Sequence, residues 1–209
     1  MPLDPADASD AAPPPRLRGV CLFCGSSPGA RPEYVDTARE VGALLARRGV
    51  ALVYGGARRG LMGAAADAAL AEGGRVVGVI PHGLWAREIA HTGLSELLVV
   101  DTMHERKALM TERADAFVML PGGAGTLEEF FEAWTWAQLG IHDKPCGVLN
   151  VGGYFDPLLA MLDHMVEERF VPLAHRQMIL VDEQPARLLA RLEAHESPEV
   201  TRWLTRDET

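Results

Sequence analysis

Seven short apolar runs alternate along this chain with longer stretches of helical pattern, and few folds can accommodate that order. The strand candidates are Gly19–Phe23, Val50–Tyr54, Arg75–Ile80, Leu97–Val100, Ala116–Leu120, Cys146–Val151 and a weaker Met178–Val181. Most lack polar alternation, which fits strands covered on both faces of a parallel sheet and not strands with one wet face. Helical patterns fall between them at 32–48, 61–72, 103–113, 126–139, 157–168 and 185–195. Strand then helix, repeated, predicts an α/β fold with a doubly wound, mostly parallel sheet. There is no internal repeat and no second compositional regime, so residues 16–209 are expected to form a single domain.

In such sheets ligands bind at the carboxyl ends of the strands, where glycine-rich turns lead into helices. Three turns of this kind are present: Phe23-Cys-Gly-Ser-Ser-Pro-Gly29, Tyr54-Gly-Gly-Ala-Arg-Arg-Gly-Leu-Met-Gly63 and Leu120-Pro-Gly-Gly-Ala-Gly-Thr-Leu-Glu-Glu129. Each sets glycines where backbone can approach a phosphate, beside a helix N-terminus whose free N–H groups favour an anion. One such turn is commonly just a tight connection; three on one sheet edge are hard to explain by packing. None matches G-x-G-x-x-G or G-x-x-x-x-G-K-[ST], so neither a dinucleotide nor a triphosphate is indicated.

Charge narrows the partners. Twenty basic against 29 acidic residues leave a net charge of −9, which repels duplex nucleic acid and anionic lipid at long range but allows a local basic pocket. No apolar run approaches the ~20 residues of a membrane span. Residues 1–15 carry acids, no base and no apolar centre, and are expected to be a disordered tail, not a signal peptide. Three cysteines are too few for a disulfide scaffold, so a reduced, cytoplasmic protein is expected.

The third turn carries a more specific pattern. Pro121-Gly-Gly-Ala-Gly-Thr-Leu-Glu-Glu129 reads P-G-G-x-G-T-x-x-E, and resembles the signature of the LOG ("lonely guy") family of cytokinin riboside 5′-monophosphate phosphoribohydrolases. Cys24-Gly-Ser-Ser27, Gly55-Gly56 with Gly60-Leu-Met-Gly63, Gly78-Val-Ile-Pro81, Met103-His-Glu-Arg-Lys107 and the stretch from Thr135 to Pro145 resemble family segments in family order, over about residues 18 to 185. The resemblance implies a Rossmann-like fold and hydrolysis of the N-glycosidic bond of N6-prenylated adenosine 5′-monophosphates, with no cofactor. It implies catalytic roles for Arg106 and Glu129. It implies substrate contacts at Glu88, Lys107, Gly122, Gly123, Ala124, Gly125, Thr126, Leu127, Glu128 and Thr135, and the other glycine turns add Gly25, Ser26, Gly55 and Gly56. Ala124 replaces the aromatic of many relatives, which bears on base preference and not on the reaction.

Residue chemistry agrees. N-glycosidic cleavage passes through an oxocarbenium-like state that a nearby carboxylate stabilises while water attacks. Glu129, one to two turns into the helix after the glycine turn, is placed either to activate water or to stabilise charge at the sugar. The planar fork of Arg106 suits a phosphate or a carboxylate, and either clamps the 5′-phosphate or orients Glu129. For Glu128 a solvated position favoured by the helix dipole competes with a substrate role. Thr126 is able to cap the helix or donate to phosphate. Arg58-Arg59 is a weaker phosphate clamp, since loop arginines are often simply exposed.

Other sites fail on spacing. Cys21-Leu-Phe-Cys24 lies along a strand, where residues three apart point to opposite faces, which disfavours zinc or a redox pair. His104-Glu105 starts an H-E-x-x-H that ends in Ala108, so no metal is expected. A pyridoxal-phosphate decarboxylase would need an aldimine lysine, and only Lys107 and Lys144 exist. A non-catalytic carrier, such as the molybdenum-cofactor carrier proteins with a similar glycine-rich architecture, leaves the Arg106–Glu129 pairing unexplained. A homodimer is expected from Trp136, which lies off the inward stripe of 130, 131, 134 and 138, since aromatics are enriched at partner surfaces. The resemblance adds that the interface borders the substrate site, with Glu88 or Thr135 serving the partner's pocket.

Overall fold

Every one of the apolar runs becomes a strand. A computed structural model describes residues 17–85 and 90–196; the expected N-terminal tail and Glu88 lie outside the described residues. The strands are β1 (Gly19–Phe23), β2 (Ala51–Tyr54), β3 (Val76–Pro81), β4 (Glu96–Val100), β5 (Ala116–Met119), β6 (Cys146–Leu149) and β7 (Ile179–Asp182). They form one seven-stranded sheet in the order β4-β3-β2-β1-β5-β6-β7, and all six pairings are parallel. Parallel pairing needs long crossovers. They are made by α1 (Pro32–Arg47), α2 (Gly60–Ala71), α3 (His82–Trp85), α4 (Met103–Glu112), α5 (Ala124–Gln138), α6 (Asp156–Glu167) and α7 (Leu173–Gln177), and α8 (Pro185–Glu193) follows β7. This is the doubly wound, Rossmann-like arrangement that the strand–helix alternation predicts.

The continuous apolar strands are explained by two cores. Val20, Leu22 and Cys24 pack with α1, α2 and α8 on one face, while Cys21, Phe23 and Phe117 pack with α4, α5 and α6 on the other. Cys21 and Cys24 therefore sit on opposite faces, as strand alternation requires. Fully buried Leu22, Phe117 and Phe130 each contribute about 2–3 kcal/mol relative to exposure. Only the edge strand β4 is half-buried along most of its length.

Three departures from the sequence reading concern short elements and element ends. The short helices α3 and α7, of four and five residues, are too brief to show a period. The sixth strand stops at Leu149 because Asn150 turns the chain: its side chain accepts from the Phe155 N–H at 2.7 Å and donates to Asp156 at 2.6 Å. α5 starts at Ala124, two residues before the expected Thr126, with Gly123 at the N-cap. Thr126 is thus inside the first turn and makes no capping bond.

Candidate functional site

Strand order creates a crevice at one place. From β1 the chain winds outward through β2, β3 and β4, and from β5 it winds the other way through β6 and β7. The turns after β1 and β5 therefore diverge, and ligands bind at such a switch point. The three glycine-rich turns meet here. The Leu120 N–H donates to the Phe23 carbonyl at 2.9 Å, the Gly25 N–H to Pro121 at 3.0 Å, and the Leu61 N–H to Gly25 at 3.0 Å. Gly60, at φ +61°, lies against the Ser26–Ser27 peptide with no room for a Cβ, so only glycine serves at this crossing.

The turns are not equivalent. Gly25 uses both of its backbone groups within the protein, and the α2 N-terminus directs its Leu61 amide to that same glycine. α1 begins with Pro32, which has no N–H to offer. In the third turn the amides of Gly123, Ala124, Gly125 and Thr126 find no acceptor among the described residues. Gly123, Ala124 and Gly125 are exposed, and a Cβ at Gly123 or Gly125 would stand in open space at an ordinary φ. The protein's own packing does not call for glycine there, whereas a ligand approaching the backbone does. The helix dipole adds to the attraction for an anion.

Behind this N-terminus lies a buried ion pair. Arg106, on α4, and Glu129, on α5, are each only 6% exposed. Arg106 Nη1 donates to Glu129 Oε1 at 2.5 Å, and its Nε to the Val79 carbonyl at 3.1 Å. Nη2 lies against Gly55, whose missing side chain leaves space for the guanidinium. Gly56 accepts the His91 N–H at 2.8 Å, which ties the second turn down. Arg106 is thus bonded to Glu129 as the second of its two candidate roles, orienting that carboxylate, requires. Glu129 is the sixth residue of α5, about 9 Å along the axis from the Gly123 cap. Burial pushes its carboxyl above the ordinary glutamate range; Arg106 opposes this, and the charge of Glu128 adds to it.

The remaining candidates separate. Lys107 turns to the other side of α5, pairing with Glu128 at 2.6 Å and Glu132 at 3.1 Å. Thr126 is buried against Gly122, Leu127 packs against the core that holds Phe23 and Phe117, and Ser26 is exposed on the crevice rim. Thr135 is exposed and lies about 13 Å beyond Thr126 along the helix, away from the ion pair. Arg58 and Arg59 are exposed. Trp134 is buried with its indole N–H on the His175 carbonyl at 3.0 Å, whereas Trp136 is half-buried. Lys144 donates to the Thr111 carbonyl at 2.7 Å. Sequence reasoning missed Tyr154, whose hydroxyl donates to the Gly122 carbonyl at 2.6 Å. The Gly152-Gly153-Tyr154 run after β6 is the signal available for it.

A crevice of this form defines the protein's class: a Rossmann-like α/β protein with an anion-accepting helix N-terminus and a buried guanidinium–carboxylate pair at its switch point. Comparison with known proteins narrows that class. The family model described as "Possible lysine decarboxylase" matches residues 62–192. A cytokinin riboside 5′-monophosphate phosphoribohydrolase of Rhodococcoides fascians is 51% identical over 178 residues, covering 85% of this chain and 90% of the relative. A probable enzyme of the same name from Oryza sativa subsp. japonica is 49% identical over 190 residues, covering 91% and 84%. The chain belongs to this family, the LOG family that its signature resembles. Among solved structures, the molybdenum cofactor binding protein of Rippkaea orientalis superposes with a TM-score of 0.66 at 20% identity, covering 86% of this chain and 97% of that one. At that identity the likeness is one of fold.

Proposed function

We propose that this protein hydrolyses the N-glycosidic bond of adenosine 5′-monophosphates, with N6-prenylated bases preferred, releasing free base and ribose 5-phosphate. The observation that carries this reading is the buried Arg106–Glu129 pair beside the unpartnered amides of α5, in a chain about half identical to phosphoribohydrolases. The 5′-phosphate rests on the amides of Gly123 to Thr126, which places the sugar over the helix toward Glu129. As the C1′–N bond breaks, its electron pair leaves with the base and positive charge grows on the sugar. The Glu129 carboxylate opposes that charge and orients or deprotonates the attacking water. Water oxygen bonds to C1′, and its proton passes to the departing base. Arg106 holds the carboxylate in place. Phosphate binding far from the reacting bond positions the sugar, so the phosphate contributes to turnover as well as affinity.

Neither lysine suits an aldimine: Lys107 is held by two carboxylates and Lys144 by a backbone carbonyl. The half-buried Trp136, and Thr135 on the exposed side of α5, support a homodimer whose interface borders the site. Glu88 or Thr135 then serves the partner's pocket, and sedimentation equilibrium at micromolar protein should give twice the chain mass. Among the described residues no helix is long and apolar enough to cross a membrane; a cytoplasmic location is proposed from the three unpaired cysteines. The deciding experiment incubates the protein with AMP, its N6-prenylated analogue and adenosine, and separates the products by chromatography. Base release from the nucleotides and little from adenosine supports the assignment. Tight binding without release would replace it with a carrier, and equal cleavage of AMP and adenosine would remove the phosphate's role.

A further inference from the structure

Tyr154 reaches back from the turn after β6 to the glycine turn before α5, and the reaction outlined above makes no use of it. Its hydroxyl donates to the Gly122 carbonyl at 2.6 Å, although the tyrosine is 41% exposed. A carbonyl in so open a place is readily satisfied by water, so burial does not demand this bond. Yet the phenol is firmly supported. Its ring meets Tyr34 of α1 edge-on at 5.6 Å and Phe155 at 4.9 Å. Buried Asn150 holds the turn that carries it, through Phe155 and Asp156.

We propose that Tyr154 is a positioning residue for the phosphate end of the site, holding the Gly122 carbonyl so that the Gly123 N–H is aimed at the anion. The inference rests on the nucleotide reading above. In a planar trans peptide the C=O of one residue and the N–H of the next point in opposite directions. Fixing the Gly122 oxygen toward Tyr154 therefore sends the Gly123 N–H the other way, away from the phenol. Two glycines flank this peptide, so little steric cost opposes its rotation. A rotated peptide would present a carbonyl oxygen to the phosphate where an amide hydrogen is needed. The tyrosine bond selects the orientation that adds one more donor to those of Ala124, Gly125 and Thr126. Gly122 itself is pinned from behind, since a Cβ there would collide with Thr126 and the Gly25 amide.

The test is Tyr154→Phe, which keeps both ring contacts and removes only the hydroxyl. Calorimetric titration with inorganic phosphate and ribose 5-phosphate should show Kd weakened on the order of fivefold, the factor expected of one neutral hydrogen bond. KM for AMP should rise by a similar factor, kcat should fall by no more than that factor because the phosphate also positions the sugar, and the melting midpoint should move by less than about 2 °C. A fall in kcat at unchanged KM would overturn the inference, and so would wild-type phosphate affinity in the variant. Absence of phosphate binding by the wild-type protein would remove the nucleotide reading and this inference together. Loss confined to Tyr154→Phe leaves the reading intact.

Discussion

Glutamine at position 129 keeps the shape of the glutamate and a hydrogen-bond acceptor for Arg106, but removes the charge. Two losses should follow, and the structure sets the size of each. In the first, the transition state loses its carboxylate, which should lower the rate about a hundredfold or more, equivalent to about 2.7 kcal/mol. In the second, an arginine whose side chain is only 7% exposed loses its counter-charge. Breaking a buried pair on one side costs about 3–5 kcal/mol, and the retained acceptor argues for the lower end. About 3 kcal/mol in a domain of this size lowers the melting midpoint by roughly 6–12 °C. Replacing both partners, as Arg106→Met with Glu129→Met, should separate the two effects. No charge is then stranded and the losses are the donor to the Val79 carbonyl and a weak contact to Met103 Sδ, so stability should return to within about 1–2 kcal/mol of the wild type. Activity should stay absent. Release of base from AMP, followed by chromatography, and thermal melting provide the two measurements. Normal turnover in Glu129→Gln would refute the role of the carboxylate. A double variant no more stable than Glu129→Gln would refute the account of the buried pair.

Gly55→Ala should lower turnover about tenfold to a hundredfold, because the new methyl takes the place of Arg106 Nη2 and shifts the group that orients Glu129; the AMP assay checks it. If Glu129 acts ionised, activity falls as pH drops through a pKa that burial lifts above the ordinary 4.5, so the acid limb of kcat/KM should lie above that value. Asp182 behaves oppositely: hydrogen bonds from Arg187, aided by the Gln184 amide, hold its carboxyl at about 2, below the ordinary 3.8, against the pull of burial. Its contribution is present above pH 3.8 and lost as pH falls toward 2, so Arg187→Ala should melt below the wild type at pH 6 and match it near pH 2.

Much of the architecture is legible in the chain because it rests on short-range causes. A continuous apolar run such as Val20-Cys-Leu-Phe23 has no wet face to offer, so it must be covered on both sides, as its division between two cores shows. The P-G-G-x-G-T-x-x-E run likewise marks a strand end, a bend and a helix start within nine residues. The helix itself starts two residues before Thr126, because Thr126 looks like a cap by residue type while Gly123 occupies that position.

What the chain alone leaves open depends on strand order. Three glycine turns look alike as text; once β1 and β5 lie side by side, the Gly25 and Leu61 amides of the first two are spent on neighbouring turns, while four successive amides of the third, Gly123 to Thr126, find no acceptor among the described residues. Arg106 and Lys107 are neighbours in sequence, yet one joins Glu129 inside and the other joins Glu128 and Glu132 nearer the surface. Tyr154 looks like any aromatic after a turn until the fold brings it over Gly122. Local sterics and hydropathy act over a few residues and can be read from them. Arg106 meets Val79 and Glu129 at separations of 27 and 23 residues, and contacts at that range exist only when the sheet has chosen its neighbours.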